Sequence, residues 1–507
     1  MKKIILPLIA VPIFLNSCYR DLGNYDYSDK EEISIQGIES SYNVISLVDT
    51  LVITPEVTSN KNSEFEYFWY VYSQATPLET DTISHDKNLK YFVEKEGGAW
   101  TLVYGVINTL TGYTKLTDVE MNVGTTYTRG WYVLKDDGEY ADIDQFLTPD
   151  TIVPTDLVAN IHSSVNGEKL LGKGKMISYY TTYRSFIADS SSAQYTKTLA
   201  LITDNDLALD YVNTMQKIHG FDDFSYAVPE KRNPGFIGYS KNSRSFFLEN
   251  AGYLHSVNNS TLNAGLFGYQ ASRNSANDDY DLSDYIVVGM YKNLFFDDMS
   301  SCFLAYQAST NSFTNAATNV SGEIKATDNN LEMIYMGLIQ DAESAPIIAY
   351  AKNKTDETER YIMQITGSAT SGLKIDADTI TSEKKIFNAT KLTCSQDERV
   401  IYFVLDNEVW TYNLSSKVEK LQFTAPAGET ITLLRQRKFS SPNDIKFALN
   451  YVCVGTSDGS KYTVNFFTRN AGNLSADPDF KVEGDGYPRD IIYVSPEMAD
   501  ASNLQGY

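Results

Sequence analysis

Few residues of this 507-residue chain are spaced for covalent chemistry. Gly455-Thr456-Ser457-Asp458-Gly459 spells the G-x-S-x-G pattern, in which a strand-to-helix elbow lifts a serine toward a histidine base. Apolar strand-like runs flank it on both sides, and no histidine follows His255, although that elbow's base follows its nucleophile. It is read as a hairpin turn. Gly167-Glu168-Lys169-Leu170-Leu171-Gly172-Lys173-Gly174 nearly spells a phosphate loop, but Gly174 stands where the magnesium-ligating Ser or Thr belongs. Residues 175–180 then read as a strand, so no helix N-terminus receives a phosphate, and a glycine-rich turn is expected. His85, His162, His219 and His255 show neither HxH nor HExxH spacing, and each is expected in a loop or at the surface. Asp204, Asp206 and Asp210, and Asp278, Asp279, Asp281 and Asp284, offer oxygens for calcium without EF-hand spacing, and read as solvated acidic turns. A glycosidase needs two carboxylates roughly 5–10 Å apart. Linear spacing cannot place such a pair among the 65 Asp and Glu.

Cys302, Cys394 and Cys453 each lie in an apolar run without CxxC spacing, and are expected to be buried free thiols. No catalytic residue, cofactor-binding residue, cofactor or metal ligand is assigned, so the chain is not read as an enzyme. One cysteine differs. After Met1-Lys2-Lys3, residues 4–15 are apolar, too few for the roughly 20-residue helix that spans a bilayer, and read as an export signal. The run closes on Leu15-Asn16-Ser17-Cys18, which resembles the lipobox of bacterial lipoproteins: Leu three positions before Cys and a small residue just before it. Asn16 departs from the usual small residue. The resemblance implies that residues 1–17 are removed and that Cys18 carries lipid as the first mature residue; an ordinary secretory signal is the alternative. No other segment is apolar and long enough to span, so membrane attachment is expected through the lipid alone.

The elements that could position a site are strands. Hydrophobic residues make up 42%, charged ones 21% and aromatic ones 13%, a composition that buries a core and excludes disorder. The length calls for at least two domains or a repeat. Lys plus Arg number 42 against 65 acids, a formal charge of −23, which argues against a nucleic-acid partner. Residues 18–30 are polar and aromatic without period, and are read as the lipidated tether. Residues 31–123 hold short β-type runs at 33–38, 50–55, 65–72, 100–108 and 117–123, suited to a small β-sandwich.

From 124 to 507 a unit of apolar-alternating run and polar turn recurs seven times, at 131–134, 199–203, 246–248, 302–306, 347–350, 400–404 and 451–455. The spacing suits blades of roughly 40–50 residues plus loops. The expectation is all-β: an immunoglobulin-like sandwich followed by a seven-bladed β-propeller, with a two-sheet β-fold as the alternative. The clearest hairpin turns at Asp406-Asn407. Helical period is confined to short pieces such as 207–216.

Glu64-Phe65-Glu66-Tyr67-Phe68-Trp69-Tyr70, followed by the alternating run 99–108 that ends in Asn108, resembles the PKD-type immunoglobulin-like domain, without the glycine-rich turn that usually follows the Trp. With the Cys18 lipobox, the tether and the Tyr-rich repeats, the chain resembles the PKD-like family of outer-membrane lipoproteins encoded with SusC/SusD-type nutrient importers. The resemblance implies an outer-membrane, lipid-anchored protein facing the cell exterior. Its implied partners are the SusC-like and SusD-like proteins of a TonB-dependent importer, other surface lipoproteins, and an oligopeptide or oligosaccharide ligand. The alternative is a surface glycoside hydrolase or other hydrolase that trims substrate before import. Its mark would be a carboxylate pair in the propeller mouth with one pKa raised by burial. Asp49-Thr50-Leu51, Asp81-Thr82-Ile83, Asp150-Thr151-Ile152 and Asp378-Thr379-Ile380 resemble an O-glycosylation signal of exported proteins in some Gram-negative gut bacteria.

Overall fold

The computed structural model describes residues 30–74, 79–187, 193–260, 265–273, 279–289, 292–318, 322–340, 342, 344–441 and 445–498. Cys18, the export signal and nearly all of the tether fall outside them, as does Asp278.

The aromatic runs noted in the sequence become the centre of the N-terminal sandwich. Phe65–Ser73 and Gly98–Asn108 pair antiparallel with Trp69 opposite Tyr104. Both rings are fully buried and stack at 4.2 Å, an arrangement that adds to their area burial. Thr80–Ser84, Thr114–Gly124 and Ser41–Ile45 complete this sheet. Two antiparallel pairs, Ile33–Gln36 with Glu56–Ser59 and Thr50–Ile53 with Leu89–Phe92, complete the sandwich; Ile33, Leu51, Ile53 and Leu89 share the sheet's core. Asn108 is fully buried, and its amide donates to Glu31 Oε1 and to the Asn62 carbonyl, tying the strand end to the start of the domain.

Seven further sheets of three or more strands follow among the described residues, antiparallel except where Ser272–Arg273 pairs parallel with Ser312–Asn315 at the edge of one. Their inner strands are Tyr487–Val494 (blade 1), Gly174–Ser185 (blade 2), Pro234–Ser240 (blade 3), Val287–Val288 (blade 4), Leu331–Leu338 (blade 5), Lys391–Cys394 (blade 6) and Thr430–Phe439 (blade 7). Each inner strand touches the next, and the seventh touches the first, so the ring closes. The protein is a seven-bladed β-propeller behind a PKD-like sandwich. Closure joins the two ends of the propeller segment, because the C-terminal Tyr487–Val494 pairs with Gly130–Asp136 to complete blade 1. This removes the open edge that a linear array would expose.

The hydrophobic clusters are wedged between successive blades, so the second strand of a blade is covered on both faces. Trp131 to Leu134, Leu199 to Ile202, and Val452 to Val454 are all fully buried. Six of the seven sequence units are such second strands; the fourth, 302–306, falls on the third strand of its blade, Cys302–Gln307, after Asn293–Asp297. The double burial also corrects the helical reading of 207–216. That stretch holds the strand Leu207–Tyr211, whose residues 207–210 are fully buried and so carry no alternation to separate strand from helix. The one α-helix among the described residues is Ile161–Asn166.

Candidate functional site

The ring of inner strands surrounds a channel. At the end where these strands begin it widens into a cavity of about 350 Å³. Lys173, Lys175, Lys391, Arg435 and Arg489 line it, against a single lining carboxylate, Asp284. In a chain where acids outnumber bases by 65 to 42, this patch is locally cationic against the whole.

Each basic group has a local reason for its position. Arg489, near the start of the blade 1 inner strand, makes a bidentate pair with Asp136: Nε to Oδ2 is 2.6 Å and Nη2 to Oδ1 is 2.9 Å. The Asp136 side chain is fully buried and also accepts from the Gly174 and Gly138 amides. Arg435 Nε and Arg437 Nη2 each donate to Asp490 Oδ1 at 2.9 Å, and the Ile177 amide donates to Asp490 Oδ2 at 3.1 Å. Paired in this way, the guanidinium planes are held by geometry as well as charge. Lys175 donates to Asp284 Oδ2 at 3.2 Å and to Asn233 Oδ1 at 3.0 Å.

Lys391 differs from these. It opens the blade 6 inner strand, is half-buried, and among the described residues no acceptor takes a hydrogen bond from its ammonium. Burial, then the charges of Arg435 and Arg489, push its pKa down to about 8 despite Asp490.

A carboxyl pair also stands at the mouth. Glu249 is fully buried, its Oε1 accepts from the Gly252 amide at 2.6 Å, and its Oε2 receives no hydrogen bond. Burial, then the charge of Asp284, raise its pKa well above the usual carboxylate range, which favours its protonated form. Gly235 makes room for them, since an added Cβ would fall 2.3 Å from both Asp284 Oδ1 and Glu249 Oε2. Glu249 is 0% exposed, whereas the Asp284 side chain is 39% exposed. Only Asp284 can meet a ligand in the cavity, and Glu249 supports it from behind.

The other sequence candidates are structural. Ser457 ends the strand Leu449–Ser457 and its hydroxyl donates to the Gly486 carbonyl, so the G-x-S-x-G segment is a hairpin turn. Residues 167–174 form a turn and the short strand Leu170–Leu171, yet Lys173 and Gly174 border the mouth. Two histidines expected in loops or at the surface are buried. His162 is fully buried beside Asp210 at 2.7 Å, and His255 packs in the strand Tyr253–Asn258 with its ring nitrogen 3.0 Å from the Gly268 carbonyl. Asp210 is therefore no solvated turn residue. Asp204 accepts from the Lys173 amide at 2.9 Å. Among the described residues no group of three or more His, Cys, Asp and Glu is placed to hold a metal. Cys302, Cys394 and Cys453 are free and buried; burial raises the Cys394 thiol to about 12 and Cys453 higher, which makes both poor nucleophiles. Thr50, Thr82 and Thr379 are exposed and Thr151 is half-buried. No helix of the described residues is long and apolar enough to cross a membrane.

The mouth residues missed in the sequence left one signal. Arg435-Gln436-Arg437 interrupts the apolar run of Thr430–Phe439, and charge inside such a strand points to a channel-lining face or a buried pair.

Fold and site together define a propeller with a cation-lined cavity at one end of its channel and a β-sandwich joined at the other. Residues 18–174 match the PKD-like family, a span that takes in the sandwich and the strands of blade 1 that precede blade 2 in the chain. No curated protein matches the sequence. Among solved structures, the chain is similar to a quinonprotein alcohol dehydrogenase-like protein of Bacteroides thetaiotaomicron, with 14% identity, TM-score 0.44, and 92% of this chain and 100% of that one covered. It is also similar to the WD40 domain of SCAP from fission yeast, with 11% identity, TM-score 0.29, and 64% and 74% covered. A third is Hsv2 of Kluyveromyces lactis, with 10% identity, TM-score 0.32, and 58% and 74% covered.

Proposed function

We propose that the chain is a cell-surface lipoprotein that acts as an accessory subunit of a SusC/SusD-like, TonB-dependent outer-membrane importer and binds or scaffolds capture of oligopeptides or oligosaccharides. The observation that carries this reading is the span of the PKD-like match, which starts at Cys18, the residue the lipobox would make the lipidated N-terminus. The strand directions support it further. The sandwich enters the propeller at Gly130, opposite Val494 at the end of an inner strand, whereas the cavity opens where inner strands begin. A chain anchored through Cys18 would therefore turn its cavity away from its anchor side.

The hydrolase alternative has one observation in its favour, the Glu249 and Asp284 pair. It lacks a second carboxyl that substrate can touch, because Glu249 is fully covered. Affinity purification of the tagged protein from gently solubilised outer membranes separates the readings. A stoichiometric SusC/SusD-like pair is expected, and replacement of Cys18 by Ala should release the chain from the membrane and lower its intact mass by the lipid. Recovery of the lipoprotein alone, together with glycan or peptide turnover abolished by Asp284→Asn, would overturn the accessory role.

A further inference from the structure

We infer that the channel mouth is a carboxylate-binding site in which Lys391 takes the anionic group of a small ligand and Asp284 takes an N–H or O–H donor of the same molecule. The inference deepens the capture role and rests on it only for the identity of the cargo.

The lone ammonium is the starting point. Holding Lys391 half-buried near Arg435 and Arg489 without an acceptor is unfavourable, and an apolar residue would close the channel wall at lower cost. The neighbouring cations cannot be relieved by moving. Asp136 grips Arg489 in two hydrogen bonds, and Asp490 holds Arg435 with Arg437. Charge is thus fixed around a space of about 350 Å³, near the small end of ligand pockets, enough for one terminal residue or one sugar ring. Preorganised donors of this kind bind an anion without reorganising first.

The opposite chemistry on the same wall narrows the ligand. Asp284, backed by buried Glu249 and paired with Lys175, is an acceptor within a cationic cavity. A phosphate or sulfate brings negative charge on every side and meets Asp284 unfavourably. A carboxylate flanked by hydroxyl or amide donors satisfies both ends. Two cargo types share that chemistry: the C-terminal residue of an oligopeptide and the uronic acid of an oligosaccharide.

The test is calorimetric titration of the purified soluble body with four probes: tetra-alanine, tetra-alanine amide, trigalacturonate and maltotriose. Binding of either carboxylate probe but not its neutral counterpart is expected, and which one binds names the cargo type. Lys391→Met should weaken that binding by about tenfold or more, the loss for removing one charged hydrogen bond. Thermal unfolding of Lys391→Met should start no lower than that of the parent, which shows the variant is folded. Failure of both carboxylate probes to bind at about 10 mM, weaker than any useful capture, or equal binding to the parent and Lys391→Met, would overturn the site. Either result leaves co-purification with an importer free to succeed or fail by itself.

Discussion

Two lysines placed deep in the propeller show what separates an architectural charge from one that is left over. Lys135, on the second strand of blade 1, has a side chain 8% exposed and pairs at 2.8 Å with Asp144, whose side chain is 0% exposed. Asp144 also accepts from Tyr462 Oη at 2.8 Å and from the Asn160 amide at 3.0 Å, so its oxygens are used within the fold. Lys391, on the channel wall, has no acceptor among the described residues, and its charge is turned toward a cavity. The first cluster is complete without any other molecule. The second is complete only with one.

The same substitution should therefore act with opposite sign at the two positions. Lys135→Met leaves Asp144 as an uncompensated buried charge and should cost about 3–5 kcal/mol. Lys391→Met removes an unpaired cation and should leave stability unchanged or raised. Urea unfolding of both variants against the parent checks this. Equal losses would mean that Lys391 has a partner within the fold and would break the contrast.

A smaller effect is expected from a third buried charge. Burial opposes a charged His162, but Asp210 beside it more than offsets this, and the ring's pKa ends above its usual 6.5. Burial likewise raises the pKa of Asp210, so the folded pair retains a proton that the unfolded chain releases. Stability from His162 is then fully present below about pH 6.5 and falls as pH rises through the folded value. The expected observation is a urea midpoint that declines from pH 6 to pH 8 in the parent and much less in His162→Gln. A midpoint flat with pH in the parent would mean that the pair holds no extra proton.

How much of this was legible in the sequence depended on which periodicity survived folding. Aromatic strands such as 65–72 and 100–108 read correctly because their side chains alternate around a sandwich core. Blade units are marked by an apolar run with a polar turn, a pattern that does not say which strand of the blade a run supplies, so 302–306 falls on a third strand; full burial of 207–210 leaves no alternation to separate that strand from a helix. Polar strands such as Thr80–Ser84 carry no apolar pattern and were missed. The mouth was out of reach for another reason. Asp136 and Arg489 are 353 positions apart and meet only because the last strand closes the ring. Asp284 was singled out in the sequence, but its meeting with Glu249 and Lys175 is set by blade packing that spacing does not encode.

The smallest expected effect concerns that last meeting. If Glu249 is an ordinary buried acid of the Asp144 kind, charged and paired, neutralising it should be strongly destabilising. If it is held protonated behind Asp284, a glutamine has the same shape and offers an amide N–H where the acid offers its O–H. Glu249→Gln should then shift stability by less than about 1 kcal/mol, within the range of ordinary substitutions. The parent should also lose stability as pH rises from the ordinary carboxylate range toward the raised pKa of Glu249, because over that range the folded state retains a proton that the unfolded chain releases. That loss should be absent in Glu249→Gln. Urea midpoints across pH for the two proteins decide it, and a loss of several kcal/mol at neutral pH would place Glu249 with the architectural charges.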